Sequence, residues 1–149
     1  MEDTSFEAAP ETPSGFRLPR WLKDFWLTSV LWSSEPASAE AVRQAVRQSI
    51  FRFAYVLQHR PAQTLRQRLA QEGWVLARAN SLGPTLEPDD LNYTHEVLQP
   101  FLDATDKRTA IECLFGDEAA RSLGFTPRGL SPWAGIAYAR HAALESNNM

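Results

Sequence analysis

The sequence predicts an all-α protein, a compact single-domain bundle of about six to seven short helices. Three observations lead there. Apolar residues recur three and four positions apart in one segment after another. No stretch of β-branched alternation and no Asn-Gly or Asp-Gly hairpin turn occurs. Prolines and glycines fall between the periodic segments, where they start and stop helices. There is no internal repeat. With 149 residues and 44% hydrophobic content, the chain can build one core without disulfides or metals.

Residues 1–16 are rich in Glu, Thr, Ser and Pro and read as a flexible N-terminal tail ahead of one helical domain over 17–146. Pro19 is placed to open a first helix ending near Trp32. That segment carries Trp21, Phe25, Trp26 and Trp32 together with Leu22, Leu27, Val30 and Leu31, so it is apolar around most of its circumference. Such a helix is covered on several sides, by its own domain or in part by a partner. Ser38 is an N-cap for a second helix reaching about His59, with a stripe Val42, Val46, Ile50, Phe53, Leu57 expected to face inward. Phe51 and Tyr55 lie off that stripe.

Pro61 is read as the start of a third, shorter helix through Leu65 and Leu69, closed by Gly73. Trp74-Val75-Leu76-Ala77 either extends it or forms a short extended piece. Asn80 to Pro84 is a loop by its turn chemistry. Pro88 with Asp89 and Asp90 starts the next helix, carrying Leu91, His95, Leu98 and Leu102 and disturbed at Pro100. Thr105-Asp106 forms an N-cap for a helix through Phe115 that Gly116 ends. Asp117 to Leu123 form one or two further turns closed by Gly124, and a last helix starts near Pro132.

Charge is distributed unevenly. Residues 1–40 hold seven acids and three bases, residues 79–149 ten acids and five bases. Between them, residues 43–78 hold seven arginines against the single acid Glu72. If the helices containing Arg43, Arg47, Arg66 and Arg68 form a hairpin, those guanidinium groups share a face suited to phosphates, nucleic acid or an acidic protein surface. Pairing with the acidic flanks of the same chain is the alternative use.

Catalytic motifs are not recognisable. His59, His95 and His141 belong to no metal-binding pattern, and no phosphate-binding glycine loop or nucleophile elbow is present. No metal and no cofactor is expected. The only cysteine, Cys113, sits in an apolar helical segment and reads as a structural thiol. An enzyme would need a site of dispersed residues, around His95, Glu96 or Cys113.

The segment Glu118 to Trp133 resembles a helix-turn-helix core. Ala120 precedes Gly124 by four, and Leu123, Phe125, Leu130 and Trp133 take inward positions. The resemblance implies DNA contact through Arg121 and Arg128, although Gly129 and Pro132 interrupt the second helix and Arg128 is its one base-reading side chain.

The leading expectation is a non-catalytic helical module that binds a protein partner or itself, as an adaptor, regulator or assembly factor. Its contact residues are Trp21, Phe25, Trp26, Trp32, Arg43, Arg47, Arg66 and Arg68. A nucleic-acid-binding regulator acting through 118–133 and the arginine block 43–78 is the alternative, and an enzyme the third. No stretch is apolar enough to span a bilayer, the start lacks the order of a secretory signal, and a cytoplasmic location follows as an expectation.

Overall fold

In the computed structural model, Leu27, Ser29 and residues 38–147 are described, and the chain divides into two units, Met1–Pro61 and Ala62–Met149. The described residues form five α-helices and one 3-10 turn, with no strand. The fold class is therefore all-α, with five α-helices among the described residues where six to seven are expected over the whole chain. Leu27 and Ser29 belong to no helix, and the rest of the segment 19–32 lies outside the described residues. So do Trp21, Phe25, Trp26 and Trp32.

The first unit contains α1, Ala39–His59. The Ser38 side chain accepts from the Ala41 N–H and satisfies one of the donors a helix start leaves open. At the other end Arg60 turns to φ 66 and its N–H closes on the Val56 carbonyl, after which Pro61 cannot continue the helix.

The second unit contains α2 (Leu65–Arg78), α3 (Pro88–Leu98), α4 (Lys107–Ser122) and α5 (Ala134–Asn147). Thr64, not Pro61, starts α2. Its hydroxyl accepts from the Gln67 N–H while the Gln67 side chain accepts from the Thr64 N–H, a reciprocal capping box. Gly73 does not end this helix, which runs on through Trp74–Ala77. Pro88 takes the first helical position of α3, with Asp89 and Asp90 in its first turn. Pro100 lies in a 3-10 turn, Gln99–Phe101, that ends α3. Asp106 caps α4 through the Thr109 N–H, and Gly116 breaks α4 internally with φ 81. The two pieces predicted on either side of Gly116 are thus present as one interrupted element.

The core of this unit joins Leu65, Leu69 and Leu76 of α2, Leu98 of α3, Ala110, Cys113 and Leu114 of α4, and Ile136 and Ala139 of α5. Cys113 is fully buried, and burial pushes its thiol up to about 11. The native protein is expected to resist a thiol-specific maleimide at neutral pH and to react once unfolded in urea; labelling of the folded chain at the rate of a free thiol contradicts this placement.

Candidate protein-interaction surface

No residue of α1 is buried. Val42, Val46 and Ile50 are 45%, 42% and 48% exposed, while Phe53 and Leu57 are half-buried. The periodicity located one face of the helix, but its first three positions face outward. At about 100° per residue the three span roughly 80° of arc, with Arg43 and Arg47 within the next 60° or so. Arg43 bonds the Glu40 carboxylate at 3.0 Å, and the Gln44 amide, with the Arg43 guanidinium, holds that carboxyl below its ordinary range. Arg47 forms no ion pair among the described residues.

Most of the remaining circumference of α1 is half-buried. Ser29 lies against one edge, its hydroxyl donating to Ser49 Oγ at 2.8 Å and near the Ala45 carbonyl at 3.4 Å. Gln44, Gln48, Phe51, Arg52 and Tyr55 each engage a partner. Tyr55 stacks on His59, with ring centroids 4.2 Å apart.

The other two arginines expected at a shared face lie on α2, in the second unit. Arg66 pairs with Asp103 at 3.4 Å, both exposed. Arg68 has its Nε buried and, among the described residues, without a hydrogen-bond acceptor. Near the end of the same helix the Arg78 guanidinium rests 5.3 Å from the Trp74 ring centre. Arg78 and Trp74, with Ala70, Gly73, Ala139 and Ala143, line a groove of about 360 Å³ between α2 and α5.

The helix-turn-helix likeness is not carried by the backbone. After Gly124, at φ 70, residues 125–133 contain no helix. Carboxylates of α4 take the place of helical hydrogen bonding there. Asp117 Oδ1 accepts from the N–H groups of Arg128 (2.8 Å) and Leu130 (3.0 Å), and Oδ2 from Gly129 (3.0 Å). Glu112, only 2% exposed, accepts from the Thr126 N–H at 3.0 Å, from Arg108 Nε at 3.0 Å and from Arg128 Nε at 2.8 Å. The Arg128 guanidinium also lies 3.9 Å from the centre of the Phe101 ring. Arg128, expected to read bases, is thereby a 20% exposed fastener of its own loop. Arg121 is exposed and reaches Asp117 at 3.4 Å. Leu130 is buried, but Leu123 and Trp133 are exposed. The buried Glu112 was legible only as a charge four residues after Arg108, an ordinary helix pair. Its second partner is sixteen residues away across a loop.

Burial by itself raises the carboxyl pKa of both Glu112 and Asp117. The guanidinium and backbone N–H donors around them outweigh that and hold both below their ordinary values of 4.5 and 3.8. A carboxylate lowered in the folded state contributes stability above its unfolded pKa and loses it as pH falls through the folded one. The urea midpoint is accordingly expected to stay level from neutral pH toward 5 and to decline below about 4.5. A midpoint that rises in that window contradicts the role of these two groups.

The histidines do not converge. His95 is exposed, with Thr94 beside it taking the buried position, and its Nδ1 lies 2.8 Å from the Tyr138 hydroxyl. His141 faces Glu145 at 3.2 Å. Among the described residues no three His, Cys, Asp or Glu side chains are placed to hold a metal ion, and no helix is long and apolar enough to cross a membrane.

No family model matches the chain, and no solved structure matches it. The chain is 32% identical over 106 residues to the uncharacterized protein YjfC of Bacillus subtilis (strain 168). The match takes in 65% of this chain and 36% of that protein, so the chain spans little more than a third of the curated relative it matches.

Proposed function

We propose that this chain is a non-catalytic helical binding module that acts on a protein partner through the outer face of α1. The observation that carries the proposal is the exposure of Val42, Val46 and Ile50 on one side of a capped 21-residue helix whose other side is half-buried. Single exposed apolar residues are normal on protein surfaces, but three at successive turns form a stripe of the kind helix-in-groove recognition uses. Covering what remains exposed of the three contributes on the order of 3 kcal/mol. A dissociation constant of 1 mM already requires about 4 kcal/mol, so the stripe is an anchor to which neighbouring groups must add. Adaptor, regulator and assembly roles all use such a surface, and a cytoplasmic setting accords with the single buried thiol.

The test is capture from a cell lysate on the immobilised full chain beside the variant V46E/I50E. Both positions are exposed, so circular dichroism of the variant is expected to match the native chain. Proteins held by the native chain and released by the variant support the proposal. An identical set on both overturns it.

A further inference from the structure

We infer that the partner segment received by α1 is an acidic amphipathic helix, seated on Val42, Val46 and Ile50 with its carboxylates toward Arg47 and Arg43. The inference rests on the binding role proposed for this face and names the chemistry of its occupant.

Shape comes first. Val42, Val46 and Ile50 form one i, i+4, i+8 ridge, and such a ridge packs into the groove between ridges of a second helix. An extended strand would find no open backbone donors on α1 to pair with, because they are used within the helix.

Charge then selects among helices. α1 contains three arginines, Arg43, Arg47 and Arg52, against the single acid Glu40. Two of the three border the apolar ridge. Glu40 pairs directly with Arg43 and also acts on Arg47 at longer range, but Arg47, one turn on, forms no direct ion pair among the described residues. On the opposite border Ser29 occupies the backbone and hydroxyl of Ala45 and Ser49. A partner thus meets the ridge from the arginine side, where a cationic helix is repelled and an anionic one attracted.

The same asymmetry disfavours a second copy of this chain. An antiparallel pair of α1 helices brings like edges together, Arg43 and Arg47 of one chain along Arg43 and Arg47 of the other. A parallel pair sets the arginine edge of one copy against the edge where Ser29 already sits.

The experiment titrates the full chain into two labelled synthetic amphipathic peptides with the same leucine stripe, one flanked by glutamates and one by lysines. The native chain is expected to bind the glutamate peptide about fivefold or more tighter at low salt, the advantage shrinking as salt rises. R43E/R47E is expected to reverse the preference, and V46E/I50E to lose both peptides. If V46E/I50E loses both peptides while charge reversal leaves the preference unchanged, the acidic partner is overturned and the binding face stands. If the native chain binds neither peptide, or V46E/I50E binds both as well as the native chain, the binding face itself is overturned. Two further outcomes overturn the acidic helix: a dimer by light scattering that V46E/I50E abolishes, and salt-sensitive binding of labelled DNA that R43E/R47E abolishes.

Discussion

Replacing Glu112 by alanine is expected to destabilise the protein by about 3 kcal/mol, measured as a fall in urea-unfolding free energy with an unchanged denaturant slope. The carboxylate is almost fully buried and accepts three separate donors, from Arg108, Arg128 and the Thr126 backbone. Its removal leaves the largely covered Arg128 guanidinium against the Phe101 ring without its counter-charge, and orphans one backbone N–H. Arg108 is half exposed and returns to water at little cost, which places the effect at the lower end of the range for broken buried pairs. E112Q keeps the shape but loses the charge and one of the two acceptor oxygens, so one of the donors around position 112 faces an amide NH2, and its stability is expected to fall between those of the native chain and E112A. A loss under 1 kcal/mol for E112A would show that loop 125–131 is held without Glu112, by Asp117 and the backbone bonds of Phe125 and Leu130. Since the loop carries Leu130 into the core, its release also exposes apolar surface.

Gly73→Ala is the second large effect, and here two principles predict opposite signs. An alanine in a helix interior is favoured over glycine by about 1 kcal/mol. A Cβ at position 73, however, would lie 2.4 Å from the Ala139 carbonyl oxygen and 3.2 Å from the Ala143 Cβ. Those are backbone and short side-chain atoms of α5 that cannot rotate away, so the helices must separate. Overpacking of this kind costs about 1–3 kcal/mol and occasionally more, and α2 against α5 is the main helix pairing of the second unit. The expected result is a net loss of roughly 2 kcal/mol in urea unfolding. A gain in stability would mean that α5 moves freely relative to α2.

These two residues mark where sequence reasoning stopped. Gly73 has the local signature of a helix end, a glycine after an apolar periodic run. It is instead a close-approach residue whose reason lies 66 positions away at Ala139. Glycine serves both uses because both require the absence of a Cβ, and only the neighbour distinguishes them. Gly124 makes the turn foreseen for it, but the helix expected beyond it is replaced by a loop whose N–H groups are bound by Glu112 and Asp117. In the sequence Asp117 stands at a helix start, where a carboxylate faces the local backbone. Here it serves a backbone eleven to thirteen residues on.

The surface proposed for binding is half legible in the sequence. The 4, 4, 3, 4 spacing from Val42 to Leu57 identified a face of α1, since that depends on helical geometry alone. Whether the face points inward depends on what lies against it, and the periodicity is identical in both cases. Arg43 and Arg47 were singled out from composition and border the exposed ridge, whereas Arg66 is bound to Asp103 and Arg68 has its Nε buried.

What the sequence by itself determined was local: helical class, the caps at Ser38 and Asp106, the start at Pro88, the breaks at Pro100 and Gly116. Each depends on φ preferences and on hydrogen bonds spanning no more than four residues. What only the tertiary structure decided was non-local: that α2 continues through Gly73, that Arg128 locks a loop onto Glu112, and that α1 turns Val42, Val46 and Ile50 outward. These depend on contacts between residues distant in the chain, whose energies are set by burial and charge pairing that no short stretch of sequence contains.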